Sequence, residues 1–119
     1  MTDPSLRAAL RAGAEGLYAV EAATGLMTAH ATWLERNDFA CFIHHGTSTA
    51  AIDWEAAITA LDVGGLPSSA GKKRMLRLAA SLADRAHVSL GDAITGIDEH
   101  NVGLLIKWIR HASGRRQFS

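Results

Sequence analysis

One cysteine, two prolines and seven aromatic side chains are all that 119 residues hold of those classes. A lone Cys41 excludes an internal disulfide, and it suits a reducing cytoplasm. No apolar run approaches the roughly 18 residues that a membrane-spanning helix needs. Met1-Thr2-Asp3-Pro4-Ser5 has neither a basic region nor an apolar stretch behind it, so neither a signal peptide nor a membrane partner is expected. Net charge is also missing: twelve basic and twelve acidic residues cancel.

What is present is apolar and unevenly charged. Hydrophobic residues make up 48% of the chain and charged ones 20%, which fits a folded domain and argues against disorder. The length suits one domain with a real core. Residues 1–70 carry three arginines against eight carboxylates, a net of −5. Residues 71–119 carry nine basic against four acidic residues, a net of +5. Such asymmetry hints at an anionic partner for the basic half; packing of the two halves on each other, or on a second copy, is the blander account and the preferred one.

Asp3-Pro4 opens a helix as cap and first residue. From there Leu6, Leu10, Gly13, Leu17, Val20, Thr24, Met27, Ala31 and Leu34 repeat at alternating spacings of four and three. That is a heptad seam, predicting a long N-terminal helix with a weak point near Gly13–Gly16. Small residues within it permit close helix approach. Asn37-Asp38 caps a predicted short helix over 39–45, ending at Gly46, and Asp53 caps another with Trp54, Ala57, Ile58 and Leu61 on one face. Gly64-Gly65-Leu66-Pro67 ends that helix and is the candidate hinge between an acidic half, 1–66, and a basic half, 68–114, with a basic tail at 115–119. Ser68-Ser69 opens a helix to about Asp84 whose core face is Met75, Leu78, Ala79 and Leu82. Ser89 caps a short helix, Gly96 turns the chain, and Asp98 caps the last helix. On that helix Val102, Leu104, Leu105, Ile106, Trp108, Ile109 and Ala112 spread over about 200° of the wheel, so it should be central to a core or shared with a partner. No segment alternates long enough to read as a strand. The expected fold is all-α, a single domain of about six helices.

Gly16-Leu-Tyr-Ala-Val-Glu-Ala-Ala, Leu76-Arg-Leu-Ala-Ala-Ser-Leu-Ala and Ile97-Asp-Glu-His-Asn-Val together resemble a group of small all-helical actinobacterial proteins. The resemblance brings no activity, cofactor or site residue with it.

Three constellations carry candidate chemistry. Asp38, Cys41 and His45 share one face of the predicted 39–45 helix, the minimal ingredients of a cysteine nucleophile or of part of a zinc site. Zinc would need distant donors, with His30, His87 and His100 available; the ordinary account is an exposed thiol beside a polar histidine. Gly65 to Lys73 imitates a phosphate-binding loop, but its glycines are five residues apart where four are required, and no strand precedes it. Nucleotide hydrolysis is rejected. Residues 88–107 have the outline of a helix-turn-helix, yet Asp92, Thr95, Asp98 and Glu99 are wrong for it. Nucleic acid would more naturally meet Lys72, Lys73, Arg74 and Arg77 with the Arg115-Arg116 tail. No catalytic set, metal site or cofactor site is convincing, and Glu15, Glu21 and Glu35 lack a Glu-x-x-His partner. The expectation is a binding or regulatory protein, not an enzyme, acting through protein contacts and self-association. Its candidate interface residues are Leu17, Val20, Met27, Leu104 and Trp108. A nucleic-acid-binding regulator and a Cys41-dependent enzyme or metal protein are the alternatives.

Overall fold

The computed structural model describes residues 4–83 and 87–114 and is predominantly helical, with one small hairpin. Six α-helices run as α1 (Pro4–Ala14), α2 (Tyr18–His30), α3 (Trp54–Asp62), α4 (Ala70–Leu82), α5 (Leu90–Ile94) and α6 (Glu99–Ala112). Two 3-10 turns, Trp33–Glu35 and Asn37–Phe42, lead into antiparallel strands β1 (Ile43–His45) and β2 (Ala50–Ile52).

The predicted long N-terminal helix is two helices. Gly16 takes a left-handed φ of 93°, and Leu17 is extended. The corner is fixed by Glu21, whose Oε2 accepts from the Gly16 N–H at 2.9 Å. Folding back lets α1 pack on both α2 and the hairpin, which one straight rod would not allow. Gly13 has a packing reason: a Cβ there would meet the Ala50 carbonyl oxygen at 2.2 Å, so only glycine lets α1 lie this close to β2.

Strands appear where none was expected. Ile43 pairs with Ile52, His44 with Ala51 and His45 with Ala50. Ile43, Ala50 and Ile52 face the core, while His44, His45 and Ala51 face water. The alternation is real, but it covers only three residues per strand, too few to declare itself. Gly46 donates to the Thr49 carbonyl at 2.8 Å to close the loop. The helix predicted over 39–45 therefore stops, as a 3-10 turn, at Phe42.

Three of the expected caps form, whereas Ser89 precedes α5 without a side-chain cap bond and Arg36, not Asn37 or Asp38, precedes the 3-10 turn at 37–42. Asp53 accepts from Ala56 N, Ser69 from Lys72 N and Asp98 from Asn101 N. The Asp3 cap lies outside the described residues. Helix α3 ends in a Schellman motif: Gly64 is left-handed, and Gly65 N–H reaches the Ala60 carbonyl at 2.7 Å. Leu66, inside the candidate hinge, is only 1% exposed and sits in the core. That core runs through both halves, joining Leu10, Leu26, Met27, Trp33 and Phe39 to Met75, Leu76 and Leu105.

The central helix is α2, not α6. It packs on α1, α4 and α6, burying Ala22, Ala23, Thr24, Leu26 and Met27. Helix α6 lies at the periphery and buries only Leu105 fully. The indole of Trp33 ties the layers together, its Nε1–H donating to the Lys72 carbonyl at 2.9 Å.

Candidate functional site

Helix α6 has two apolar flanks with different fates. Leu104, Leu105 and Trp108 turn inward and pack on the core. Trp108 enters a notch at Gly25 of α2, where a Cβ would come within 2.4 Å of the indole ring. On the other flank Val102, Ile106 and Ile109 follow one another at i, i+4 and i+7, a continuous stripe on a helix. Ile106 is 54% exposed and Ile109 43%. Glu99 and Arg110 flank this stripe at its two ends, and both are exposed. The width of the apolar arc is thus explained: one part seals the fold, and the remainder faces water.

A groove of about 760 Å³ runs along the inward flank, between α1, α2 and α6. Its lining includes the pair Glu21–His111, with Oε1 and Nε2 2.7 Å apart and the imidazole N–H donating to the carboxylate. Since Oε2 already holds Gly16, Glu21 joins the α1–α2 corner to the end of α6. The His111 ring is fixed edge-on between Tyr18 and Trp108, at centroid distances of 5.8 and 5.4 Å. Arg7 and Arg11, one turn apart on α1, line the opposite wall with Glu15. Both guanidiniums are exposed and have no ion-pair partner among the described residues. Beside them Trp108 forms the apolar wall, its Nε1–H buried with no acceptor in the described residues.

Asp38, Cys41 and His45 share no helix. Cys41 is exposed in the 3-10 turn, its thiol 3.6 Å from the Asp38 carbonyl, while His45 belongs to β1. The Asp38 carboxylate is held by Arg36, whose Nε donates to it at 2.9 Å and keeps its pKa below the usual carboxylate value. Among the described residues no three His, Cys, Asp or Glu side chains meet as a group able to hold a metal ion. His30 lies near Asp98, Lys72 and His100, and burial lowers its pKa.

The basic face of α4 is only partly free. Arg77 pairs with Asp62 at 2.7 Å, and Arg74 packs where Gly96 leaves room. Lys72 is exposed and Lys73 half-buried. Arg115 and Arg116 lie outside the described residues. Of the candidate interface residues, Leu17 is 61% exposed, whereas Met27 is only 1% exposed and is held within the chain's own core. Val20, Leu104 and Trp108 are half-buried.

Sequence reasoning missed Arg7, Arg11, Glu21 and His111 as a set. Ninety positions separate Glu21 from His111, and no local pattern links them. Gly25, a glycine beside the seam in the interior of α2, was the available signal that something bulky packs there. Among the described residues no helix is long and apolar enough to cross a membrane. No protein-family model, curated protein or solved structure matches the chain.

Proposed function

We propose that this is a small helical interaction protein that acts through protein–protein contacts, first of all with a second copy of itself. The observation that carries the reading is the Val102–Ile106–Ile109 stripe, with Ile106 and Ile109 open to water and Val102 half-buried, on a helix whose other flank is packed. Water-exposed isoleucines at helical spacing gain free energy when a partner helix covers them, about 25 cal/mol per Å² of apolar surface removed from water.

The stripe's own symmetry favours an antiparallel, two-fold arrangement. Turning a second α6 end for end about Ile106 sets Val102 against Ile109 and brings Glu99 of one copy near Arg110 of the other. A two-fold contact repeats each pairing twice, so two apolar pairs and two ion pairs flank one central isoleucine contact. A cytoplasmic setting goes with this reading, because Cys41 is free and exposed.

Sedimentation velocity tests it. The wild-type chain is expected to sediment as a dimer at micromolar concentration, and Ile106→Glu as a folded monomer. Glu99→Arg and Arg110→Glu should each weaken the dimer, and the double exchange should restore it. A wild-type chain that stays monomeric across this range refutes the proposal. A dimer indifferent to all four variants refutes the use of α6.

A further inference from the structure

The groove on the other flank of α6 lies apart from the isoleucine stripe of the proposed self-association. Its volume of about 760 Å³ falls within the range of small-molecule sites. We propose that it takes a small organic anion: an oxyanion headgroup, carboxylate or phosphate, on a planar apolar body.

Charge and shape both lead to this class. Arg7 and Arg11 stand one turn apart on the same wall, without ion-pair partners among the described residues. Guanidinium groups spaced in this way suit an oxyanion, to which each presents a planar fork of donors. The inner carboxylate does not compete, because both Glu21 oxygens are engaged by Gly16 and His111. Glu15 on the rim offsets one of the two arginines.

The rest of the lining selects the body of the ligand. The Trp108 ring stands in the Gly25 notch, with the His111 ring inclined to it at a centroid distance of 5.4 Å and Lys107 Nζ 4.9 Å from its centroid. Around it the walls are small, with Ala8 and Ala12 on α1 and Thr28 on α2. A flat ring fits against an indole wall with offset or edge-to-face contact, and alanines leave the clearance for it. A bare inorganic anion would leave this apolar surface uncovered.

The test uses four probes on the 119-residue chain: 2-naphthoate, 2-naphthyl phosphate, the neutral 2-naphthamide and inorganic phosphate. Titration calorimetry gives affinity, and the indole N–H resonance of Trp108, assigned with Trp108→Phe, reports the location. At least one naphthyl anion should bind saturably and shift that resonance, about tenfold more tightly than the amide or inorganic phosphate. The tighter of the two anions identifies the headgroup. Arg7→Gln and Arg11→Gln, both on exposed positions, should each weaken it by about tenfold with the fold intact by circular dichroism. Absence of saturable binding at millimolar probe overturns the proposal. So does an amide that binds as well as the anions, or arginine variants that change nothing.

Discussion

Replacing Gly25 by alanine probes the α2–α6 joint most directly, because two opposing effects of similar size meet there. In an exposed helix interior, glycine to alanine stabilises by about 1 kcal/mol, through helix propensity and a less flexible unfolded chain. At Gly25 the new methyl would sit 2.4, 2.5 and 2.6 Å from three atoms of the Trp108 ring. Carbon atoms rest at about 3.5–4 Å, so the indole must retreat by about 1 Å or more. Its retreat is opposed by Leu104 and Leu105 on the same helix, which are packed on the core, and by the His111 ring 5.4 Å from it. Forced overpacking of this kind costs about 1–3 kcal/mol. The net expectation is destabilisation by roughly 1 kcal/mol. Gly103 in α6 supplies the control, since a Cβ there meets nothing within 4 Å. Gly103→Ala should stabilise by about 0.5–1 kcal/mol. In a Trp108→Ala background the clash is gone, and Gly25→Ala should become stabilising, giving a coupling of about 2 kcal/mol. Urea denaturation of the four-member cycle measures this. If Gly25→Ala stabilises the wild-type chain as much as Gly103→Ala does, the notch is not a tight joint and the argument fails.

Other expectations follow from single positions. Ala31 ends α2 with a left-handed φ of 67°, so Ala31→Gly should raise the denaturation midpoint by the equivalent of about 0.5–1 kcal/mol. Asp53 caps α3 and also contacts His44 Nε2 at 3.2 Å, and Asp53→Ala should cost about 1 kcal/mol in the same assay. Its carboxyl pKa is lowered first by the Ala56 N–H and then by His44. The stability it contributes is therefore present above the unfolded carboxyl pKa and lost as pH falls through the folded one, so the Asp53→Ala deficit should shrink in acid. His30 shows the opposite charge type. Burial lowers its folded pKa beneath the ordinary value of about 6.5, so the unfolded chain binds the extra proton and stability rises as pH climbs through that window. His30→Gln should flatten this part of the stability profile; an unchanged slope would show that burial does not control the group.

Much of the helical skeleton was legible, because its signals are local. Asp53, Ser69 and Asp98 announce helix starts by side-chain chemistry alone, and Gly64 and Gly114 mark ends through left-handed backbone that only glycine adopts cheaply. The heptad seam was a weaker guide. Leu10 and Met27 are buried as it requires, but Leu17, midway between them, lies at the corner and faces water. Periodicity cannot register a turn that preserves phase on either side. The hairpin was missed because Phe39, Phe42 and Ile43 satisfy a helical face equally well on paper. What decides between them is the pairing of Ile43 with Ile52 beneath α1, a contact made possible by Gly13. The apolar arc of α6 was read correctly in width but not in place, since a wheel gives no information about how much of an arc the fold will cover. The groove was invisible for the same reason: its walls come from α1, α2 and α6, and only the folded chain brings them together.

The joint between Gly25 and Trp108 also sets an order of assembly. Helix α2 is made early, but one of the surfaces it needs is carried by residues more than eighty positions later. Until α6 has been synthesised, the Gly25 notch has nothing to hold, and the Thr24–Thr28 side of α2 stays wet. Closing a loop of that length costs conformational entropy before any contact rewards it, which slows the step relative to the local turns. Helix α6, made well after α2, is then the one that locks it in place. By the same logic it is the first to let go: with one fully buried residue, α6 should exchange its amide hydrogens earlier than α2 or α4. Transient release of this helix would open the groove and carry the exposed isoleucine stripe away from the fold in a single motion.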